Sequence, residues 1–263
     1  MKKTLIALAV AASAAVSGSA MAWTANGTGG NVDLGGTLTP VDIVTPWEVK
    51  IGDAVTNLDA TIVKGQKAVS IVAKNAIPVL GIRTAKKEAF VGEVGISPRI
   101  NYNGALDTNS FQDSTGTITL DVNDTQGNVI GTLTAPMFAG SEISKVSLDG
   151  TSFQKLYPAY ASGSDRSFGL GLPKTADQVG NNVGPRAVAL FQEATLNFNA
   201  QGISAKSGPA NSDNFTSADY KHSAYYVSGI ETGKAINIDL KDPVAGDATI
   251  TWKASLPITV SYQ

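Results

Sequence analysis

The chain has 263 residues, with 20 Lys+Arg against 22 Asp+Glu, and no cluster of Lys or Arg supplies the basic face that a nucleic-acid partner requires. It contains no cysteine, which excludes thiol catalysis, thiolate metal sites and disulfides, and its one histidine, His222, excludes a His-rich metal site; no cofactor or metal is expected. Stability therefore has to come from core burial and strand pairing alone.

Residues 1–22 have the three parts of a secretory leader. Lys2 and Lys3 give a positive start, Leu5 to Val16 an apolar stretch, and Ala20-Met21-Ala22 an A-x-A cleavage site. The apolar stretch is shorter than the ~20 residues that span a bilayer as a helix. The expectation is a protein exported through the periplasm, with Trp23 as its first mature residue. Without Lys2 and Lys3, 18 basic residues face 22 acidic ones, so the mature chain carries a net charge of about −4.

From Trp23 to Pro40 the chain is rich in Gly and Thr and has no helical period. Within it, Gly30, Val32, Leu34, Gly36 and Leu38 share one face of an extended segment, three of them apolar. A peptide that adds to a sheet edge gains affinity from main-chain hydrogen bonds and specificity from alternate side chains. Residues 23–39 are read as an extension able to donate a strand, with Gly36 suited to a shallow part of the receiving groove.

The domain expected over 40–263 consists of short runs with period-2 alternation or β-branched enrichment, broken by Gly, Asn, Asp and Pro. The runs are Trp47–Gly52, Ala60–Val63, Ala68–Ala73, Pro78–Arg83, Ala89–Val94, Ile96–Tyr102, Thr117–Val122, Val129–Ala135, Ile143–Leu148, Ala194–Phe198, Ala224–Ile230, Ala235–Leu240, Ala248–Ala254 and Leu256–Tyr262. Asp124 to Asn128 marks a hairpin. So many short strands argue for an all-β sandwich. The span 150–220 interrupts them and is read as an insertion. Inside it, Gly184-Pro185 followed by Arg186–Ala194 suggests a short helix with Val188, Leu190, Phe191 and Ala194 on one face.

At the C-terminus, Leu256, Ile258, Val260 and Tyr262 alternate with Pro257, Thr259 and Ser261. Taken alone, this is the edge strand of a sandwich. Set beside the N-terminal segment, it is one wall of a groove awaiting a strand.

Several stretches resemble the FaeG/ClpG family, major subunits of chaperone–usher fimbriae and fibrillae. They are Val32 to Thr39, Trp47 to Gly52, Leu80 to Thr84 with Lys87 to Phe90, and the ending Leu256 to Tyr262; residues 100–220 match loosely. The resemblance implies an incomplete immunoglobulin-like sandwich that lacks its final strand. A periplasmic chaperone would fill the groove first, and at the outer-membrane usher the extension of an identical subunit would replace it. On this chain the donor would be Gly30 to Leu38, and Leu256 to Tyr262 would form the acceptor wall and chaperone edge.

The resemblance also implies adhesion to host glycans, for which 150–220 is the place to look because binding residues concentrate on loops. Tyr157, Tyr160, Asp165, Arg166 and Phe168, with Phe153, could combine ring stacking with hydrogen bonding, or could simply pin the insertion to the sandwich. A purely structural subunit and a secreted monomeric binding module remain as alternatives.

No enzyme is expected. A Ser–His–Asp triad would have to use His222, and there is no G-x-S-x-G. Asp121 to Gly127 has its glycine one place late for a calcium loop, and Gly169 to Gly171 lacks a nucleotide-loop context. With 7% aromatic residues and short strands, the chain also lacks the girdles of an outer-membrane barrel.

Overall fold

The computed structural model describes residues 34–39 and 44–263; the leader, Gly30 and Val32 lie outside the described residues. Residues 34–39 are exposed and belong to no helix or strand. The remainder belongs to a separate unit running to Gln263.

That unit contains strands β1 (Trp47–Ile51), β2 (Ala68–Val72), β3 (Ile77–Thr84), β4 (Phe90–Val91), β5 (Pro98–Asn101), β6 (Leu106–Gln112), β7 (Thr115–Asn123), β8 (Val129–Ser147) and β9 (Gln154–Pro158). Helix α1 (Val183–Phe191) follows, then β10 (Tyr220–Ile230), β11 (Ala235–Leu240), β12 (Lys253–Ala254) and β13 (Thr259–Tyr262). The described residues form an all-β sandwich with one short α-helix, and every ladder between the named strands is antiparallel.

The 19-residue β8 organises the rest. Its first half pairs with β7 and β11, its second half with β9 and β10. Along the first half, burial alternates as expected for a sheet with one wet face; from Met137 to Ser144 every residue is buried. The change marks where the outer face also becomes covered. The separate runs Val129–Ala135 and Ile143–Leu148 fall in this one strand, although Pro136 and Gly140 stand between them. Pro136 is accommodated within the pairing to β7, opposite Thr117.

The main core collects residues from most strands, among them Leu80, Ile82, Ile100, Ile118, Met137, Ile143, Tyr226 and Ile238. A second, smaller core lies on the opposite face of β10 and β8, where Phe138, Tyr225 and Val227 meet Val183, Ala187, Leu190, Phe191 and Ala194. The helical spacing of these five residues lays one face of α1 and its following turn on the sheet. Gly81 and Gly140 permit the approach. A Cβ on Gly81 would stand 2.9 Å from the Cβ of Ala194, and one on Gly140 would stand 2.8 Å from Cγ1 of Val183.

Several sequence-based expectations need correction. Residues 60–63 form no strand. Ala194–Phe198 is not a strand either: Gln192–Thr195 continues α1 as a 3₁₀ turn, which buries Ala194 on the sheet. Val188 is 45% exposed and does not share the apolar face, since Val183 and Ala187 take that role. Two strands went unread. β6 is too polar, and its two-residue turn uses Asp113 and Ser114 at φ +48° and +56° in place of glycine. β9 lies inside the span 150–220 and pairs with the second half of β8. The Asp124 turn forms as read: Oδ1 of Asp124 accepts the backbone N–H groups of Gln126 and Asn128, at 2.8 and 2.9 Å.

Candidate functional site

Two segments that do not pair with each other bound the main core on one side. In β1, Val49 stands opposite Ile82 and Ile51 opposite Leu80. Cross-strand partners share a face, so Val49 and Ile51 point toward the core. Yet they are 42% and 50% exposed, while Leu80 and Ile82 are fully buried. Among the described residues β1 pairs only with β3.

The other segment is the C-terminal strand. From Thr251 to Gln263 burial alternates at every residue. Trp252, Ala254, Leu256, Ile258, Val260 and Tyr262 are half-buried against the main core, and the residues between them are exposed. Among the described residues β12 pairs only with β7 and β13 only with β5, so each has one edge without a ladder partner there.

The two segments run in opposite directions. Thr45 lies against the phenol of Tyr262, which burial raises in pKa and Thr45 lowers in part. At the far end Lys64 pairs with Asp247, and the N–H of Gly65 donates to the carbonyl of Val244 at 2.8 Å. Between these ends, no backbone hydrogen bond joins 45–62 to 248–262 among the described residues. The result is a seam with apolar walls, a well-packed floor and bare main-chain edges on both sides. It can accept an extended peptide that fills the half-buried positions and completes both ladders. A depression of about 420 Å³ lies outside this seam, between Thr45 and Pro46 on one side and Thr84, Phe90 and Ile96 on the other.

All four C-terminal residues singled out in the sequence line this seam. Five further residues went unread: Val49 and Ile51, Leu58, which packs on the main core from 58, and Trp252 and Ala254. A signal was available for the last two, because the alternation of Leu256–Tyr262 extends back through Ala254 to Trp252. Of the donor positions described, Leu34 and Leu38 are 93% and 99% exposed, and Gly36 has open space around it.

The residues considered for glycan binding are dispersed. Tyr157 is buried, its hydroxyl donating to Oδ2 of Asp213 at 2.9 Å, and Phe168 is buried against the ring of Tyr226. Neither can offer a ring face to a sugar. Tyr160 is half-buried, Asp165 exposed and Arg166 half-buried, the last two 3.6 Å apart. Phe153 packs edge-on against Tyr220. His222 is fully buried, and neither ring nitrogen has a hydrogen-bond partner among the described residues.

The whole chain, residues 1–263, matches the family described as "Fimbrial, major and minor subunit" of the K88 type. It is 32% identical over 281 positions to the F41 fimbrial protein of Escherichia coli, with full coverage of both chains. It is 29% identical over 293 positions to the K88 fimbrial protein AB and 28% over 291 to the K88 fimbrial protein AC of the same organism, again along their full lengths. The chain belongs to the K88-type family of fimbrial subunits. This family consists of structural subunits of surface fimbriae, not enzymes. In a fimbrial subunit the open seam has an evident context, because such chains assemble with copies of themselves.

Proposed function

We propose that this fimbrial subunit polymerises by strand exchange, the seam between 45–62 and 252–262 receiving residues 30–38 of an identical subunit. The observation that carries the reading is the half-exposed margin of an otherwise closed core: Val49 and Ile51 face the core beside buried partners, across from the alternating C-terminal strand. Apolar surface of this kind favours a filling strand at ~25 cal/mol per Å². Residues 23–39 lie outside the sandwich in sequence and supply Val32, Leu34 and Leu38, with Gly36 for the narrowest place. Residues 1–22 direct export. A periplasmic chaperone occupies the seam until the outer-membrane usher presents the next subunit's extension, which explains how a chain with an open core survives transit.

The test changes Val32 and Leu34 together to Asp. Polymer ladders are expected to disappear, while capture by the chaperone persists because the chaperone binds the seam and not the donor. Polymers that still form would remove 30–38 from the donor role.

Adhesion to host glycans is a second part of the proposal, placed on the span 150–220 with Tyr160, Asp165 and Arg166 as the accessible members of the candidate set. The purely structural alternative assigns sugar binding to no residue of this chain.

A further inference from the structure

The only histidine sits in a buried polar cluster that strand exchange does not use. His222 in β10 is fully buried between aromatic rings, with Phe90 of β4 stacked at 5.7 Å and Phe215 edge-on at 5.3 Å. Neither of its nitrogens is hydrogen-bonded among the described residues, and Nε2 lies 3.6 Å from Oδ2 of Asp213. That same oxygen accepts hydrogen bonds from Nζ of Lys145 and from the hydroxyl of Tyr157, both at 2.9 Å. The other carboxylate oxygen, Oδ1, is taken by the backbone N–H groups of Asn214 and Phe215.

The titratable groups facing the ring are therefore Asp213 from the loop before β10, Lys145 from β8, Tyr157 from β9 and Tyr220 from its own strand; β4 contributes only Phe90. Burial opposes ionisation of Asp213, but the Lys145 ammonium, the Tyr157 hydroxyl and two backbone N–H groups all donate to its oxygens, so Asp213 is an anion. With Lys145 it forms a neutral pair, side chains 18% and 5% exposed. A proton on His222 would leave one carboxylate facing two cations, with three donors competing for one oxygen. Such an oxygen accommodates about two good hydrogen bonds. Lys145 is the member nearer solvent: its side chain is 18% exposed and its ammonium rests 4.3 Å from the ring centre of Tyr220, whereas His222 is fully buried.

We propose that Asp213 is the pivot of a proton-driven exchange of partners, in which acid charges His222, the imidazolium takes Oδ2, and Lys145 is released to the surface beside Tyr220 and Phe153. The exchange couples the face formed by β8, β9 and the 211–216 loop to the acidity of the surroundings. It uses no residue of the seam, so it stands or falls independently of strand exchange.

The experiment labels the mature protein, in whatever assembly state it is isolated, with an amine-acylating reagent. Modification of Lys145 is read by peptide mass against Lys221, an exposed lysine on β10, which cancels the intrinsic effect of pH on amines. As the pH is lowered from neutral to about 5, the Lys145/Lys221 ratio is expected to rise roughly threefold or more. In His222→Phe, a ring of similar size among Phe90 and Phe215, the ratio should not change with pH; His222→Gln serves if that variant does not fold. Deuterium exchange at the imidazole C2 position of wild type follows the proton without any variant. A C2 profile flat with pH, a constant ratio in wild type, or the same rise in both variants would overturn the exchange.

Discussion

Tyr102 shows how single hydroxyls hold this core. Its oxygen lies 2.9 Å from that of Tyr226 and 2.7 Å from Oγ of Ser228, and Tyr226 donates on to the carbonyl of Gly171. Three polar groups are thus buried with partners, as desolvation requires. Burial pushes the Tyr102 phenol up to about 12, partly offset by Ser228 and Tyr226. An unfolded tyrosine titrates near 10. The native pKa is the higher one, so this contribution to stability is complete below about pH 10 and is lost as pH climbs from there towards 12. Denaturant midpoints are expected to be level through neutral and mildly alkaline pH and to fall above about pH 10. The decline should be shallower in Tyr102→Phe. An equal decline in both proteins would show that the phenol does not contribute.

At the level of elements, α1 makes β10 unusual. A strand covered on one side alternates, but from His222 to Ile230 every residue of β10 is buried, because the main core takes one face and the helix the other. The helix is held by packing and by Arg186. The guanidinium of Arg186 donates to both carboxylate oxygens of Glu231 at 2.8 Å, to the hydroxyl of Thr115 and to the carbonyl of Asp113. Phe191→Ala opens a cavity in the second core and should cost about 3 kcal/mol, visible as a fall in melting temperature of roughly 6–12 °C for a chain of this size. Val188→Ala, on the exposed face, should stay within about 0.5 kcal/mol of wild type. Comparable losses would mean that α1 docks by a different face.

For the whole molecule the decisive feature is the half-exposed margin of the main core at Val49 and Ile51. A variant lacking residues 23–39, with that segment joined after Gln263 by a short flexible linker, should be a stable soluble monomer. Burying Val32, Leu34 and Leu38 in the seam is worth ~1.5–3 kcal/mol per side chain. Melting should therefore rise by about 10 °C or more over the same chain with the segment deleted. If the deleted chain is already equally stable and monomeric, the seam is not a site waiting for a strand. The completed monomer is also the right material for glycan arrays, since a purely structural subunit gives no signal there.

Much of this protein is legible in the chain itself. Period-2 alternation follows from strand geometry alone, so β1, β3, β7, β11 and the C-terminal strand could be read with small shifts at their ends, and the fimbrial family was legible in Val32 to Thr39, Trp47 to Gly52 and the ending Leu256 to Tyr262. The tertiary structure was needed wherever burial comes from both sides or from distant partners. It decided that β8 runs unbroken past Pro136, that polar β6 is a strand because β7 pairs with it, and that Tyr157 and Phe168 belong to the interior. It also decided that Val49 and Ile51, indistinguishable in sequence from any half-buried pair, stand on an open margin. Local pattern sets which way a side chain points, but only the full set of neighbours determines whether anything covers it.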